Sequence, residues 1–137
     1  MKDLRMLSML LLFVLLSMQM EGCVALVAGS AAGAGTVVYI KGQLNEDINA
    51  PVSKVYDASI STLKDLNLPI IEKKHDSLSA KIKSEFADGS DVWIEIESLT
   101  AQSCNITIRV GIMGDEYKSR QILDGIHKHI SGGGRKT

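Results

Sequence analysis

Residues 78–110 read LSAKIKSEFADGSDVWIEIESLTAQSCNITIRV. Apolar and polar side chains alternate through this stretch with a period of two, which on a pleated strand sends one set to each face. Leu78, Ala80, Ile82, Ser84 and Phe86 share a face until Asp88-Gly89, a hairpin signal. Val92, Ile94 and Ile96 resume that face, opposite Trp93, Glu95 and Glu97. After a loop at Leu99 to Ser103, Cys104, Ile106, Ile108, Val110 and Ile112 fall inward, while Asn105, Thr107 and Arg109 fall outward. Consecutive strands with one apolar and one polar face form an antiparallel sheet that covers a core on one side only.

The flanking segments supply what covers that side. Upstream, Pro69 to Lys74 reads as one more strand, closed by a turn at His75-Asp76-Ser77. Before it, Asn49-Ala-Pro51 opens a helix, with Asn49 as cap, and Val52, Val55, Tyr56, Leu63 and Leu66 form its apolar stripe up to about Asn67. From Thr36, Val38, Ile40 and Leu44 alternate with Tyr39, Lys41 and Gln43, a half-buried strand with a bulge expected at Gly42. Downstream, Gly114-Asp115 caps a second helix whose stripe is Ser119, Ile122, Leu123, Ile126 and Ile130. The order β-α-β-β-β-β-α predicts a two-layer α+β domain over residues 36–130. It has about five antiparallel strands, both helices on one face in a helix-grip-like arrangement, and a polar, flexible tail over residues 131–137. Tyr56, Leu63, Ile94, Ile108 and Ile126 are the expected core.

The N-terminus carries an address. Lys2 and Arg5 form a positive start, Met6 to Met18 an apolar run of signal-peptide length, and Gly22-Cys23 a lipoprotein cleavage junction. The run is shorter than the roughly 20 apolar residues of a spanning helix. Residues 1–22 then read as a lipoprotein signal peptide, and residues 23–35 as a lipid-bearing (palmitate-type) Cys23 followed by an uncharged Gly/Ala-rich tether. Met20 and Glu21 depart from the usual junction, so an uncleaved anchor and an ordinary secretory signal are the competing readings. With Cys23 lipidated, Cys104 is left without a disulfide partner. Fifteen basic and sixteen acidic residues give a net charge of -1, without the basic stripe that a nucleic-acid partner needs.

Four segments carry a family resemblance: the junction Gly22-Cys23, the stretch from Ala32 to Gly42 (AGAGTVVYIKG), the helix segment Pro51 to Ala58 (PVSKVYDA), and Ile108 to Glu116 (IRVGIMGDE) with Ser119 and Ile122. Over nearly the whole chain these resemble a domain-of-unknown-function family of small Gram-negative bacterial lipoproteins. The Arg-Val-Gly-x-x-Gly-Asp-Glu element is the most specific part. The resemblance implies a cell-envelope location on the periplasmic side of a membrane, and it implies no activity. Val24 stands where an inner-membrane retention signal would place Asp, so the outer membrane is the expected address.

Candidate chemistry is sparse. His127 and His129 stand two apart on a helix and His75 lies in a turn, so no metal pair is expected and the histidines are read as solvent-exposed. Cys104 has the phase of a buried strand position rather than of a reactive thiol. Glu95 and Glu97 share an open sheet face with Arg109, where cross-strand ion pairing explains them better than acid/base work does. Gly114-Asp115-Glu116 reads as helix initiation. The expectation is a membrane-anchored, non-catalytic binding or adaptor domain without cofactor or metal. An envelope protein would be its partner and Tyr39, Trp93, Glu95, Thr107 and Arg109 its interaction surface, since aromatic residues beside Arg are enriched at binding hot spots. A small-ligand or lipid carrier is the alternative, and a hydrolytic enzyme is further off.

Overall fold

A computed structural model of the chain describes residues 6–9 and 36–133. Residues 6–9 are helical, and among the described residues no helix is long and apolar enough to cross a membrane. The Gly22-Cys23 junction, the Gly/Ala-rich tether and residues 134–137 lie outside the described residues.

Residues 36–133 form one unit. Its elements are β1 (Val38–Ile40), β2 (Gln43–Ile48), α1 (Val52–Asp65), β3 (Ile70–His75), β4 (Ser79–Glu85), β5 (Asp91–Thr100), β6 (Ser103–Val110) and α2 (Glu116–Gly132). All strand pairs are antiparallel, and the six strands lie in the order β1-β2-β6-β5-β4-β3. The connection through α1 carries the chain from β2 to the far edge, and the meander β3 to β6 returns it to β2. The α+β class and the helix-covered antiparallel sheet are as the alternation predicted.

The sixth strand arises where one bulged strand was expected. Lys41 and Gly42 both adopt left-handed backbone, φ 52° and 79°, and so make a two-residue hairpin turn of the kind that matches strand twist. The turn pairs Tyr39 with Leu44, and Val38 with Asn45. Cross-strand partners share a face, so Tyr39 joins buried Leu44 on the helix side, half-buried against the core, while Val38 and Ile40 are exposed. The predicted faces of β1 are therefore reversed.

Elsewhere the phase holds. Ile82, Val92, Ile94, Ile96, Cys104, Ile106, Ile108 and Val110 are buried beneath Val55 and Leu63 of α1 and Ile122, Leu123 and Ile126 of α2. Two strand-end positions fall out of it: Leu78 precedes β4 and is 68% exposed, and Ile112 follows β6 in a turn and is 81% exposed. On α1, Tyr56 is half-buried at the core margin rather than in the core, stacked on His75 with ring centroids 4.4 Å apart. His75 thus ends β3 instead of lying in a turn. Gly125 lets the helices approach closely, because a Cβ there would run into the Thr62 methyl.

The helix ends differ in how they are closed. Pro51, not Asn49, occupies the N-cap of α1, and no side chain caps it. Its C-terminus closes with Asn67 in the left-handed conformation (φ 55°), the Asn67 N–H donating to Lys64 O and the Leu68 N–H to Leu63 O, a Schellman arrangement. At α2, Asp115 accepts from the Lys118 N–H at 3.0 Å, as expected of that cap. The helix continues through Gly132, so the first residues of the supposed tail are helical.

Candidate functional site

The sheet face turned away from the helices is the first candidate. Trp93 stands opposite Arg109 on β6 and Lys83 on β4, and Glu95 stands opposite Thr107 and Lys81. Gln43, Trp93, Glu95, Thr107, Arg109 and Ile112 line a hollow of about 310 Å³. On the other flank of Trp93 a smaller hollow of about 140 Å³ runs along Glu72, Lys74, Lys81 and Lys83. Four of the five expected surface residues are therefore brought together. Tyr39, the fifth, lies on the opposite face, and Gln43 and Asn45 of β2 take its place beside Thr107, whose hydroxyl donates to Asn45 Oδ1 at 2.7 Å.

The ion pairing on this face is not the expected one. Lys81 Nζ bridges Glu95 at 3.0 Å, and Lys83 lies 5.7 Å from the Trp93 ring centre, a cation–π contact. Arg109 makes no pair with Glu95 or Glu97; its guanidinium donates instead to the carbonyls of Gly111 and Ile112. That use explains the Arg-Val-Gly-x-x-Gly-Asp-Glu element. Gly111 and Gly114 take positive φ, Gly114 meets Gly42 backbone to backbone, Asp115 caps α2, and Lys118 bridges Asp88 of the β4–β5 hairpin. The Lys118 ammonium, with the hydroxyl and N–H of Ser90, holds the Asp88 carboxyl well below its ordinary range. The element is a corner that locks three loops at one end of the sheet.

The second candidate was missed in the sequence. Glu46 lies inward on β2 between Leu44 and Ile48, about 1% exposed, and its Oε2 sits 2.6 Å from His127 Nε2 of α2. Its Oε1 has no hydrogen-bond partner. Burial pushes the Glu46 carboxyl above its ordinary value, reinforced by Asp124 and Asp47 and partly offset by His127. One further histidine on α2, His129, reaches Asp65 of α1 at 2.7 Å. The α2 histidines are thus half-buried bridges to β2 and α1 rather than solvated side chains. Extending the alternation through Leu44-Asn-Glu-Asp-Ile48 would have found Glu46.

A carboxylate orienting an imidazole can serve proton transfer where a substrate reaches it. Glu46 and His127 line neither hollow of the outer face nor the concavity of about 410 Å³ beside the 111–115 corner. The buried carboxyl also couples stability to pH. Because folding raises the Glu46 pKa, the folded chain holds that proton more tightly than the unfolded one, so stability falls as pH rises from about 4.5 through the raised value. Glu46→Gln keeps an acceptor for His127 and removes the buried charge. Urea unfolding is expected to find it more stable than the wild type at pH 7 and indistinguishable below pH 4; a less stable variant at pH 7 would show that the Glu46 contact with His127 outweighs desolvation.

Cys104 is inert by the same physics, with burial pushing its thiol up to about 11. Among the described residues, no group of three His, Cys, Asp or Glu side chains is arranged to hold a metal ion. No curated protein matches the chain significantly. A family model described as a protein of unknown function, DUF3568, matches residues 6–129, and the chain belongs to that family.

Proposed function

We propose that this chain is a lipid-anchored lipoprotein of a Gram-negative cell envelope, tethered through Cys23 on the periplasmic side of the outer membrane, and that its α+β domain is a non-catalytic adaptor for an envelope protein. The observation that carries the adaptor reading is the hollow around Trp93. It sits on the sheet face that neither helix covers, and it combines an aromatic surface with the hydrogen-bonding groups of Gln43, Thr107 and Glu95. The carrier reading needs room between sheet and helices. That space is filled by Ile94, Ile108, Leu63, Ile122 and Ile126, each essentially without exposure.

The test pairs two variants in cells labelled with a fatty-acid analogue. Cys23→Ser is expected to lose the label and to accumulate as a longer precursor that retains residues 1–22, whereas Trp93→Ala keeps the label and the processed length. After gentle solubilisation and cross-linking, Trp93→Ala is expected to recover an envelope protein at least about tenfold less well than the wild type. Arg109 is a poor choice for this purpose because it supports the 111–114 corner. An unlabelled wild type would remove the anchor, and undiminished recovery with Trp93→Ala would remove the sheet face as the docking surface.

A further inference from the structure

The two edges of the sheet are built differently. The β3 edge carries Glu72, Lys73 and Lys74 and a register break between Ile70 and Glu72, devices that discourage a further strand. The β1 edge has none of these. From Thr36 to Ile40 it reads Thr-Val-Val-Tyr-Ile, uncharged and rich in β-branched residues, with no proline and no register break against β2. Val38 and Ile40 are 38% and 55% exposed on its outer face. No described strand pairs with its far side.

The hairpin fixes which backbone groups face outward. In a two-residue hairpin the residues flanking the turn, Ile40 and Gln43, exchange hydrogen bonds, and so does the next such pair, Val38 and Asn45. Tyr39 lies between them and directs its N–H and C=O away from β2, and Val37 does the same by alternation.

We propose that β1 is a self-complementary edge along which two copies of this chain pair antiparallel, with the two-fold axis at Val38. In that register Val37 of each copy exchanges two hydrogen bonds with Tyr39 of the other, four in all. An axis at Tyr39 would form only that residue's own two, because Lys41 is already turned into left-handed backbone and cannot extend the ladder. With the axis at Val38, the exposed Val38 side chains meet each other and Ile40 meets Thr36. On the helix side Tyr39 meets Val37, an aromatic against a β-branched residue, and both already pack against the core. Lys41 falls opposite position 35, a glycine, so no like charges are opposed.

The register is tested by disulfide trapping in the full chain in mild detergent, on a Cys23→Ser background. Val38→Cys places two sulfurs across the axis in a non-hydrogen-bonded pair, where Cβ atoms come within reach of a disulfide. It is expected to trap as a covalent dimer at least about tenfold faster than Ile40→Cys, which faces Thr36. Light scattering is expected to give a two-chain mass for the background protein and a one-chain mass for Val37→Pro. That proline removes an outward N–H and leaves the β1–β2 ladder intact, and an unchanged circular dichroism spectrum would verify folding. A one-chain mass for the background protein, or equal trapping of Val38→Cys and Ile40→Cys, would overturn the proposal, including the case in which a different protein occupies the edge.

Discussion

Gly114→Ala is expected to destabilise the domain by about 3 kcal/mol or more, although residue 114 lies in a surface loop and contributes no side chain to the core. Two costs combine. Gly114 has φ +82°, where an L-residue pays about 1–2 kcal/mol, and a methyl group there forces a displacement of packed atoms that typically costs a further 1–3 kcal/mol. The Cβ would overlap the Cα, carbonyl carbon and oxygen of Gly42, all backbone, so no side chain can swing aside. Gly42→Ala meets the same obstacle from the other side, its Cβ falling 2.7 Å from the Met113 oxygen. Gly89 provides the comparison. It shares the positive φ but has open space where its Cβ would stand, so Gly89→Ala should show the conformational cost alone. Chemical denaturation of the three variants reads the difference; equal losses at Gly89 and Gly114 would mean that the two loops part readily and the corner is not a lock.

The corner also shows where reading a sequence stops. Residues 108–116 stand out as the most specific segment of the chain, and Asp115 is legible as a helix cap because capping is local chemistry. The reason for the glycines is not local. Gly42 and Gly114 are far apart in the chain, and only the closing of the sheet brings β1–β2 and the β6–α2 connection into contact. The Arg109 misreading has the same origin: pairing with Glu95 or Glu97 follows from strand phase, but the carbonyls of a sharply turned loop lie closer to the guanidinium than either carboxylate. Alternation located β4, β5 and β6 because each buries one face and exposes the other, although the loop expected over Leu99 to Ser103 is only a turn at Ala101-Gln102 and β6 stops at Val110, short of Ile112. It failed at β1, where a Lys-Gly pair makes a turn usually signalled by Asn-Gly, and every side chain before the turn consequently changes sides. Glu46 was hidden by composition rather than by distance. An acidic side chain is expected on the solvent face, and here the inward phase of Leu44 and Ile48 overrides that preference, with His127 as the compensating partner.

Ile108→Ala is expected to cost about 2–5 kcal/mol, a large share of the roughly 5–15 kcal/mol that holds a domain of this size together. The residue sits on β6, which has strands on both sides; its cross-strand neighbours are Leu44 on β2 and Ile94 on β5, and all three are essentially without exposure. Truncation removes three methyl or methylene carbons between the sheet and its helical cover. Neither neighbour can follow inward, because each is fixed by its own ladder, so most of the vacated volume persists as a cavity and the cost belongs in the upper half of that range. Leu78→Ala is the informative control. It deletes the same kind of side chain from a position that alternation also assigned to the core but that stands 68% exposed before β4, and it should change stability by less than about 0.5 kcal/mol. The contrast tests the face assignment itself, on which the Trp93 hollow depends: Trp93 and Thr107 are outward only because Ile94 and Ile108 are inward. Similar losses for the two variants in urea titrations at one pH would mean that the layers pack otherwise than described, and the surface proposed for a partner would then have to be sought on the helices.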